Sequence, residues 1–182
     1  MTPPPTIRLA LAASLALAAV AAHALDAFPG TKAVTFDGRR LAQAAQGRTP
    51  VEAWREFVPQ GEPIAHWTRL ASIREYPTHT DPMALATGLL RALKQQNPDA
   101  PSAIIRSPST GEVIVDFVTW PPDRAFTEFN LFRYGKRDGG GVVAQQYALR
   151  HYGDATEFLR GLKAERTRLV ELMAKEGLKG AR

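Results

Sequence analysis

The chain has 182 residues, of which 45% are hydrophobic and 23% are charged, a composition typical of one globular domain with its own hydrophobic core. It contains no cysteine, which excludes disulfides, thiol nucleophiles, cysteine-ligated metals and a lipid-modified N-terminal cysteine. The net charge is +5 and the acidic residues are spread throughout, so the charge permits an anionic partner without requiring one.

The N-terminus has the three parts of a secretory signal. Arg8 precedes an apolar run over residues 9–22, and the small-x-small sequence Ala-His-Ala ends at Ala24. The alternative is a membrane anchor, but the run has about 14 residues and a spanning helix needs roughly 20. We therefore predict a signal peptide over residues 1–24 and a periplasmic or secreted protein without a membrane span after cleavage. Cleavage leaves a charge of 22 − 18 = +4.

The first part of the mature chain has weak local signals. Residues 25–50 are predicted to be an irregular lead-in that contains one short strand and one or two helical turns. Residues 52–58 fit either a strand or a helix, because Pro50 suits a helix start and Pro59 closes the segment quickly; we prefer the strand. Residues 64–76 are rich in β-branched and aromatic side chains and predict a second strand.

The second part has clearer signals. A helix is predicted over residues 81–96, because Asp81 can cap it, Pro82 suits its first position and its apolar residues recur at a spacing of three and four. Short turns then separate four strands that should pair antiparallel, at residues 103–107, 112–120, 126–134 and 142–152. A final helix is predicted over residues 156–176.

This order of elements predicts one α+β domain over residues 51–178, with an antiparallel sheet of about five or six strands flanked by two main helices. The segment EFVPQGEPIAHWTRLASI, with EFVP at residues 56–59 and Trp67-Thr68, resembles uncharacterised secreted bacterial proteins. The element order is similar to the PsbP-like α/β/α shape. That resemblance implies helices on both faces of the sheet and a non-enzymatic accessory or binding role, and it carries over no functional residue.

Motifs for catalysis and metal binding are missing from the sequence. No mature serine lies in a Gly-x-Ser-x-Gly elbow, and the histidines do not form a His-x-x-x-His pair. His79 and Asp81 could share one ion, but a loop histidine beside a helix cap explains both. The glycine run at residues 139–141 precedes a strand, whereas a phosphate loop precedes a helix. We therefore expect no metal, no cofactor and no catalytic residue that a motif identifies.

The hairpin of residues 126–152 contains the candidate binding residues. Strand alternation puts aromatic and basic residues on both of its faces, whereas an RNA-binding sheet concentrates aromatic residues on one exposed face. Nucleic acid is therefore not an expected partner. Two interpretations stay open: a hairpin with long polar edges, and a shallow pocket for a small anionic ligand or a partner peptide. The pocket would be lined by Arg133, Tyr147, Arg150 and Tyr152.

The sequence favours an exported, non-catalytic protein that binds an envelope protein or a small anionic ligand. One alternative is a periplasmic hydrolase that uses Asp116 or His151 in a site without a motif. The other is a purely structural component of the cell envelope. A hydrolase predicts a concave pocket with convergent polar groups, and a binding protein predicts an exposed apolar or aromatic patch.

Overall fold

The computed structural model describes residues 31–180, and these residues build an eight-stranded sheet in which every neighbouring pair is antiparallel. The strands are β1 (Ala33–Phe36), β2 (Arg39–Arg48), β3 (Ala53–Val58), β4 (Arg69–Tyr76), β5 (Ser102–Arg106), β6 (Val113–Thr119), β7 (Phe126–Lys136) and β8 (Val142–Tyr152). Helix α1 (Pro82–Gln96) lies between β4 and β5 in the chain, and α2 (Thr156–Lys175) follows β8. The spatial order is β1-β2-β3-β4-β8-β7-β6-β5.

The α+β class, the two helices and the antiparallel sheet are confirmed, but the expected number of strands was wrong. The sheet has eight strands because residues 33–48 of the predicted lead-in form β1 and β2. Residues 39–46, expected as helical turns, belong to β2, which pairs with β1 over its first four residues and with β3 from Ala42 to Arg48. Residues 52–58 contain β3, which settles the open choice in favour of a strand.

The predicted strand over residues 64–76 begins later than expected, at Arg69. The preceding residues make turns instead: the N–H of Glu62 donates to the carbonyl of Pro59, and the N–H of His66 donates to that of Pro63. This loop between β3 and β4 folds Trp67 into the protein, where it is 4% exposed.

Helix α1 covers one face of the sheet, which we call the α1 face. Its first turn is capped as predicted, because the Asp81 carboxylate accepts a hydrogen bond of 2.9 Å from the N–H of Met83. The helix packs on even-numbered side chains of β7 and β8. These side chains are Phe132, Tyr134, Val142 and Ala144.

Helix α2 covers the opposite face, which we call the α2 face. The helix residues Leu162, Leu169 and Met173 are buried there against odd-numbered side chains of the central strands. Those sheet residues include Ile73 on β4, Phe129 and Leu131 on β7, and Tyr147 on β8. Each face thus has its own apolar cluster, and the sheet is covered on both sides.

After α2 the chain returns to the outer edge of the sheet. The N–H and carbonyl groups of Thr35 and Lys179 exchange two hydrogen bonds of 2.9 Å, which cover part of β1. No helix within residues 31–180 has the length and apolar character needed to cross a membrane. The predicted signal peptide at residues 1–24 lies outside the described residues.

Candidate functional site

The structure places the four predicted binding residues on opposite faces of the sheet, so they do not line one pocket. Arg150 and Tyr152 point to the α1 face, and Arg133 and Tyr147 point to the α2 face. Arg133 donates to the carboxylate of Glu112 (2.8 Å from Nη2) and to the carbonyl end of α2. Tyr147 is 1% exposed in the apolar core. The contacts of Arg133 and Tyr147 are therefore made within the protein.

Arg150 lies at the centre of a buried cluster on the α1 face. Its guanidinium is 3.9 Å from the ring centroid of Trp67 and 4.2 Å from that of Phe126. Its Nε donates to Glu128 (2.6 Å), its Nη1 donates to the Tyr152 hydroxyl (3.3 Å), and its Nη2 contacts Glu128 without hydrogen-bond geometry. Because the protein itself surrounds this guanidinium, the cluster leaves little of it for a ligand.

The cluster continues across the sheet as a row of hydrogen-bonded side chains. The hydroxyl of Ser72 donates to Gln146 (2.9 Å), Gln146 donates to Asn130 (2.8 Å), and Asn130 donates to Glu128 (3.4 Å). Ser72, Asn130 and Glu128 are buried. Each buried group in this row has a partner within the protein, as a structural polar network requires.

A second polar group joins β3 and β4 on the same face. Arg74 contacts the carboxylates of Glu52 (2.5 Å) and Glu56 (3.2 Å), and the Tyr76 hydroxyl donates to Glu52 (3.3 Å). Burial raises the pKa of Glu56, and the charge of Arg74 opposes that rise. Burial also raises the pKa of Tyr76 above its ordinary value. The carboxylates of Glu52 and Glu56 both contact Arg74, so the charges of this group are paired within the protein.

The two residues considered for hydrolysis have structural partners on the α2 face. The carboxylate of Asp116 accepts two hydrogen bonds of 2.7 Å from Arg166 on α2. The His151 ring stacks on Phe158, with the ring centroids 5.6 Å apart. Within the described part of the chain, no group of three or more histidine, aspartate or glutamate side chains could hold a metal ion.

An open depression of about 350 Å³ lies where the β1–β2 turn, the start of β2, the β3–β4 loop and the start of β4 meet. We call it the arginine depression, because Arg39, Arg40 and Arg69 line it. Arg39 and Arg40 are exposed, and Arg69 is half-buried. The other lining residues are Gly38, Leu41, Pro59 and Glu62.

The acidic residues beside this depression already have other partners. The carboxylate of Glu62 accepts hydrogen bonds from the backbone N–H (2.6 Å) and hydroxyl (2.7 Å) of Thr68. The carboxylate of Asp37 accepts two from Arg168 on α2 (2.5 and 3.0 Å), and this interaction lowers the pKa of Asp37. Neither carboxylate forms an ion pair with an arginine of the depression.

The depression therefore has an excess of positive charge. Within residues 31–180, none of Arg39, Arg40 and Arg69 forms an ion pair. Counting Arg168 with these three against the two nearby carboxylates gives 4 − 2 = +2. A guanidinium presents a planar fork of donors that matches carboxylate and phosphate oxygens. The arrangement can therefore bind a small anion.

The β1–β2 turn positions two of these arginines. Asp37 and Gly38 have φ angles of 49° and 68°, the left-handed pair that a tight hairpin turn needs. Arg168 holds the Asp37 carboxylate and so connects the turn to α2. The sequence indicates the turn at Asp37-Gly38, but residues 39–46 were expected to be helical turns, so Arg39 and Arg40 were not considered as binding residues.

A neighbouring depression of about 220 Å³ shares Gly38 with the first but has paired charges. Its lining contains the Asp37–Arg168 pair and the Glu176–Lys179 pair, which is 2.7 Å long. Because each charge has a partner of opposite sign, this depression has no excess charge to attract a ligand.

Comparison with known proteins gives a family but no activity. Residues 28–178 match the model of an uncharacterised protein family, and this range contains the whole arginine depression. No curated protein matches the chain. Neither comparison identifies a ligand or an activity.

Proposed function

The chain belongs to an uncharacterised protein family, and from this premise we propose that it is an exported, non-catalytic binding protein of the cell envelope that holds a small anionic ligand in the arginine depression. Export rests on the signal pattern in residues 1–24. Binding rests on one observation: Arg39, Arg40 and Arg69 line one depression, and none of the three forms an ion pair with a carboxylate of the described residues.

Several arginines elsewhere, such as Arg74, Arg133 and Arg166, form ion pairs with carboxylates. Other arginines without an ion pair within residues 31–180, such as Arg91 and Arg106, line neither of the two depressions. Like charges that converge repel one another, and a bound anion removes that repulsion while it gains charge-assisted hydrogen bonds. We therefore expect a ligand with two or more negative charges, such as a phosphate ester or a di- or tricarboxylate.

The size and chemistry of the depression support binding of a small molecule. Its volume of about 350 Å³ is in the range of small-ligand sites. Its one acidic lining residue, Glu62, is held by Thr68, so the described lining presents cations and apolar surface but no free general base. The similarity of element order to the PsbP-like shape agrees with a binding role but identifies no ligand.

The proposal can be tested by calorimetric titration with two probes, pyrophosphate and citrate, at low ionic strength. The protein should be expressed from the full-length sequence and purified as the host processes it. The double variant Arg39→Ala/Arg69→Ala should bind at least about tenfold more weakly, because each charge-assisted hydrogen bond contributes roughly 1.5–3 kcal/mol.

A matched control removes two positive charges elsewhere. Arg91 on α1 and Lys163 on α2 are exposed, and neither lines the depression. The variant Arg91→Ala/Lys163→Ala should therefore keep the wild-type affinity within about twofold. Absence of binding to both probes, or an equal loss of affinity in the two double variants, would overturn the proposal.

A further inference from the structure

The two edges of the sheet are treated differently. On β1, the edge is partly covered by the hydrogen bonds between Thr35 and Lys179. On β5, no segment within residues 31–180 pairs with the outer edge. The side chains of Ile104 and Ile105 on β5 are 37% and 52% exposed. An open edge with exposed apolar side chains is a surface on which another strand can pair.

The hydrogen bonds that flank β5 show which of its backbone groups are free. The Val118 N–H donates to the Pro101 carbonyl (3.0 Å), and the Ser107 N–H donates to the Glu112 carbonyl (2.8 Å). Hydrogen-bonded pairs alternate along an antiparallel ladder, so the odd-numbered residues of β5 exchange bonds with β6. The N–H and carbonyl groups of the even-numbered residues therefore point away from the sheet.

From this geometry we propose that β5 pairs antiparallel with β5 of a second copy of the chain, in the register that places Ile104 opposite Ile104. The three even-numbered residues, Ser102, Ile104 and Arg106, would exchange all of their free backbone hydrogen bonds. The two sheets would join into one of 8 + 8 = 16 strands. This inference does not depend on the proposed ligand.

The side chains of β5 favour a second copy, because the strand is complementary to itself. In the proposed register, Ile104 contacts Ile104 on one face, and Ala103 lies opposite Ile105 on the other. Arg106 lies opposite Ser102, so no two like charges face each other. Two-fold symmetry requires this kind of self-complementary surface.

No other antiparallel self-pairing uses all three even-numbered residues. A shift of the register by two residues leaves either Ser102 or Arg106 outside the pairing. Pro101 and Pro108 flank the strand, and proline has no N–H with which to extend the ladder. The register centred on Ile104 is therefore the one that the edge specifies.

The contact is short, so the association should be weak. A single pair of five-residue strands buries less than the roughly 1,200 Å² that separates stable interfaces from transient ones. We therefore expect a reversible dimer whose fraction rises with protein concentration.

The absence of cysteine makes a crosslinking test direct. In the proposed dimer, the two Cα atoms at position 104 would be about 5.5 Å apart, within the range that a disulfide bridges. The variant Ile104→Cys, expressed from the full-length sequence, should form a disulfide-linked dimer under mild oxidation. Non-reducing electrophoresis measures the rate.

Two matched variants test the register. Ser102→Cys and Arg106→Cys place each thiol opposite the other position, so each alone should crosslink about tenfold more slowly than Ile104→Cys. In an equimolar mixture of these two, about half of the dimers combine both variants and place the thiols opposite each other, so the mixture should crosslink about half as fast as Ile104→Cys. Equal rates for all three single variants would indicate random collision and overturn the proposal, as would an Ile104→Cys protein that stays monomeric.

A test without added thiols compares the wild-type protein with Ile104→Pro by sedimentation. The N–H at position 104 points outward, so proline there removes a bond of the dimer and no bond to β6. The variant should keep the thermal unfolding midpoint and sediment as a monomer, while the wild-type dimer fraction rises with concentration. A wild-type protein that remains monomeric up to about 1 mM overturns the proposal.

Discussion

The arginines of the α1 face and those of the arginine depression have the same chemistry but opposite surroundings. The side chains of Arg74 and Arg150 are 14% and 3% exposed, and each contacts a carboxylate. Arg39 and Arg40 are exposed and form no ion pair within the described residues. The comparison separates arginines that the fold uses internally from arginines that remain available to a ligand.

The difference has a physical cause. A guanidinium that leaves water loses its hydration, so a buried one needs a carboxylate and further contacts in compensation. A guanidinium at the surface keeps its hydration, and water and salt screen its repulsion from its neighbours. Charges can therefore remain unpaired at the arginine depression at little cost to folding. This division between buried, paired arginines and exposed, unpaired ones predicts how individual substitutions change stability and binding.

The largest effect is expected from removing the partner of Arg150. The variant Glu128→Ala leaves the buried guanidinium without its carboxylate, and we expect the free energy of unfolding to fall by about 3–5 kcal/mol. Urea denaturation measures the change. The control Arg40→Ala alters an exposed, unpaired arginine and should change the free energy of unfolding by less than about 0.5 kcal/mol. Similar losses in both variants would contradict the division.

A smaller, pH-dependent effect is expected at Glu56. Burial raises its pKa in the folded protein above the unfolded value of 4.5, so the folded state binds the proton more tightly. The free energy of unfolding should therefore fall as the pH rises from below 4.5 through the folded pKa. In Glu56→Gln this fall is absent, so the stability of the variant relative to wild type should increase with pH.

Chemical denaturation at several pH values, from about one unit below to about three units above the ordinary glutamate pKa, measures this difference. The constant loss of one contact to Arg74 shifts the whole curve and does not change its slope. Parallel curves for the wild type and Glu56→Gln would show that Glu56 titrates normally in the folded protein.

The smallest effect on stability is expected at Asp37. The variant Asp37→Asn keeps a residue that suits the hairpin turn and loses a surface ion pair with Arg168, which should cost about 0.2–1 kcal/mol. The local charge of the arginine depression would rise from +2 to 2 + 1 = +3. Affinity for pyrophosphate, measured by calorimetry, should therefore increase severalfold.

The control for this prediction is Asp154→Asn, because Asp154 contacts Thr156 at the start of α2 and does not line the depression. It removes the same charge and should leave the affinity for pyrophosphate unchanged. A decrease in affinity in Asp37→Asn would contradict this prediction. It would show that Asp37 contributes more to affinity by positioning the turn than it costs by repelling the anion.

Sequence patterns over a few residues correctly predicted both helices and the four strands between them. The helix expected over residues 81–96 is observed as Pro82–Gln96, with the cap at Asp81. The helix expected over residues 156–176 is observed as Thr156–Lys175. The four strands between them are also observed, because turn residues and short connections allow little choice but antiparallel pairing. Capping, spacing and turn chemistry act over a few residues, so they can be recognised in a sequence.

Strand β2, which the sequence did not predict, depends instead on contacts with other strands. The segment Arg39–Arg48 contains mainly small and polar residues and has no strong strand propensity of its own. It is a strand because the Asp37-Gly38 turn aligns it with β1 and because β3 pairs with its other side. Neither contact can be inferred from the composition of the segment.

By itself, the sequence determined the α+β class, both helices and the four antiparallel strands between them. Only the tertiary structure decided which arginines are paired. The carboxylate that holds Arg150 belongs to Glu128, 22 residues away on the neighbouring strand. The arginine depression joins a turn, a loop and two strands in the same way. Propensities act between near neighbours in the chain, whereas the pairing of charges depends on contacts that exist only after the sheet has formed.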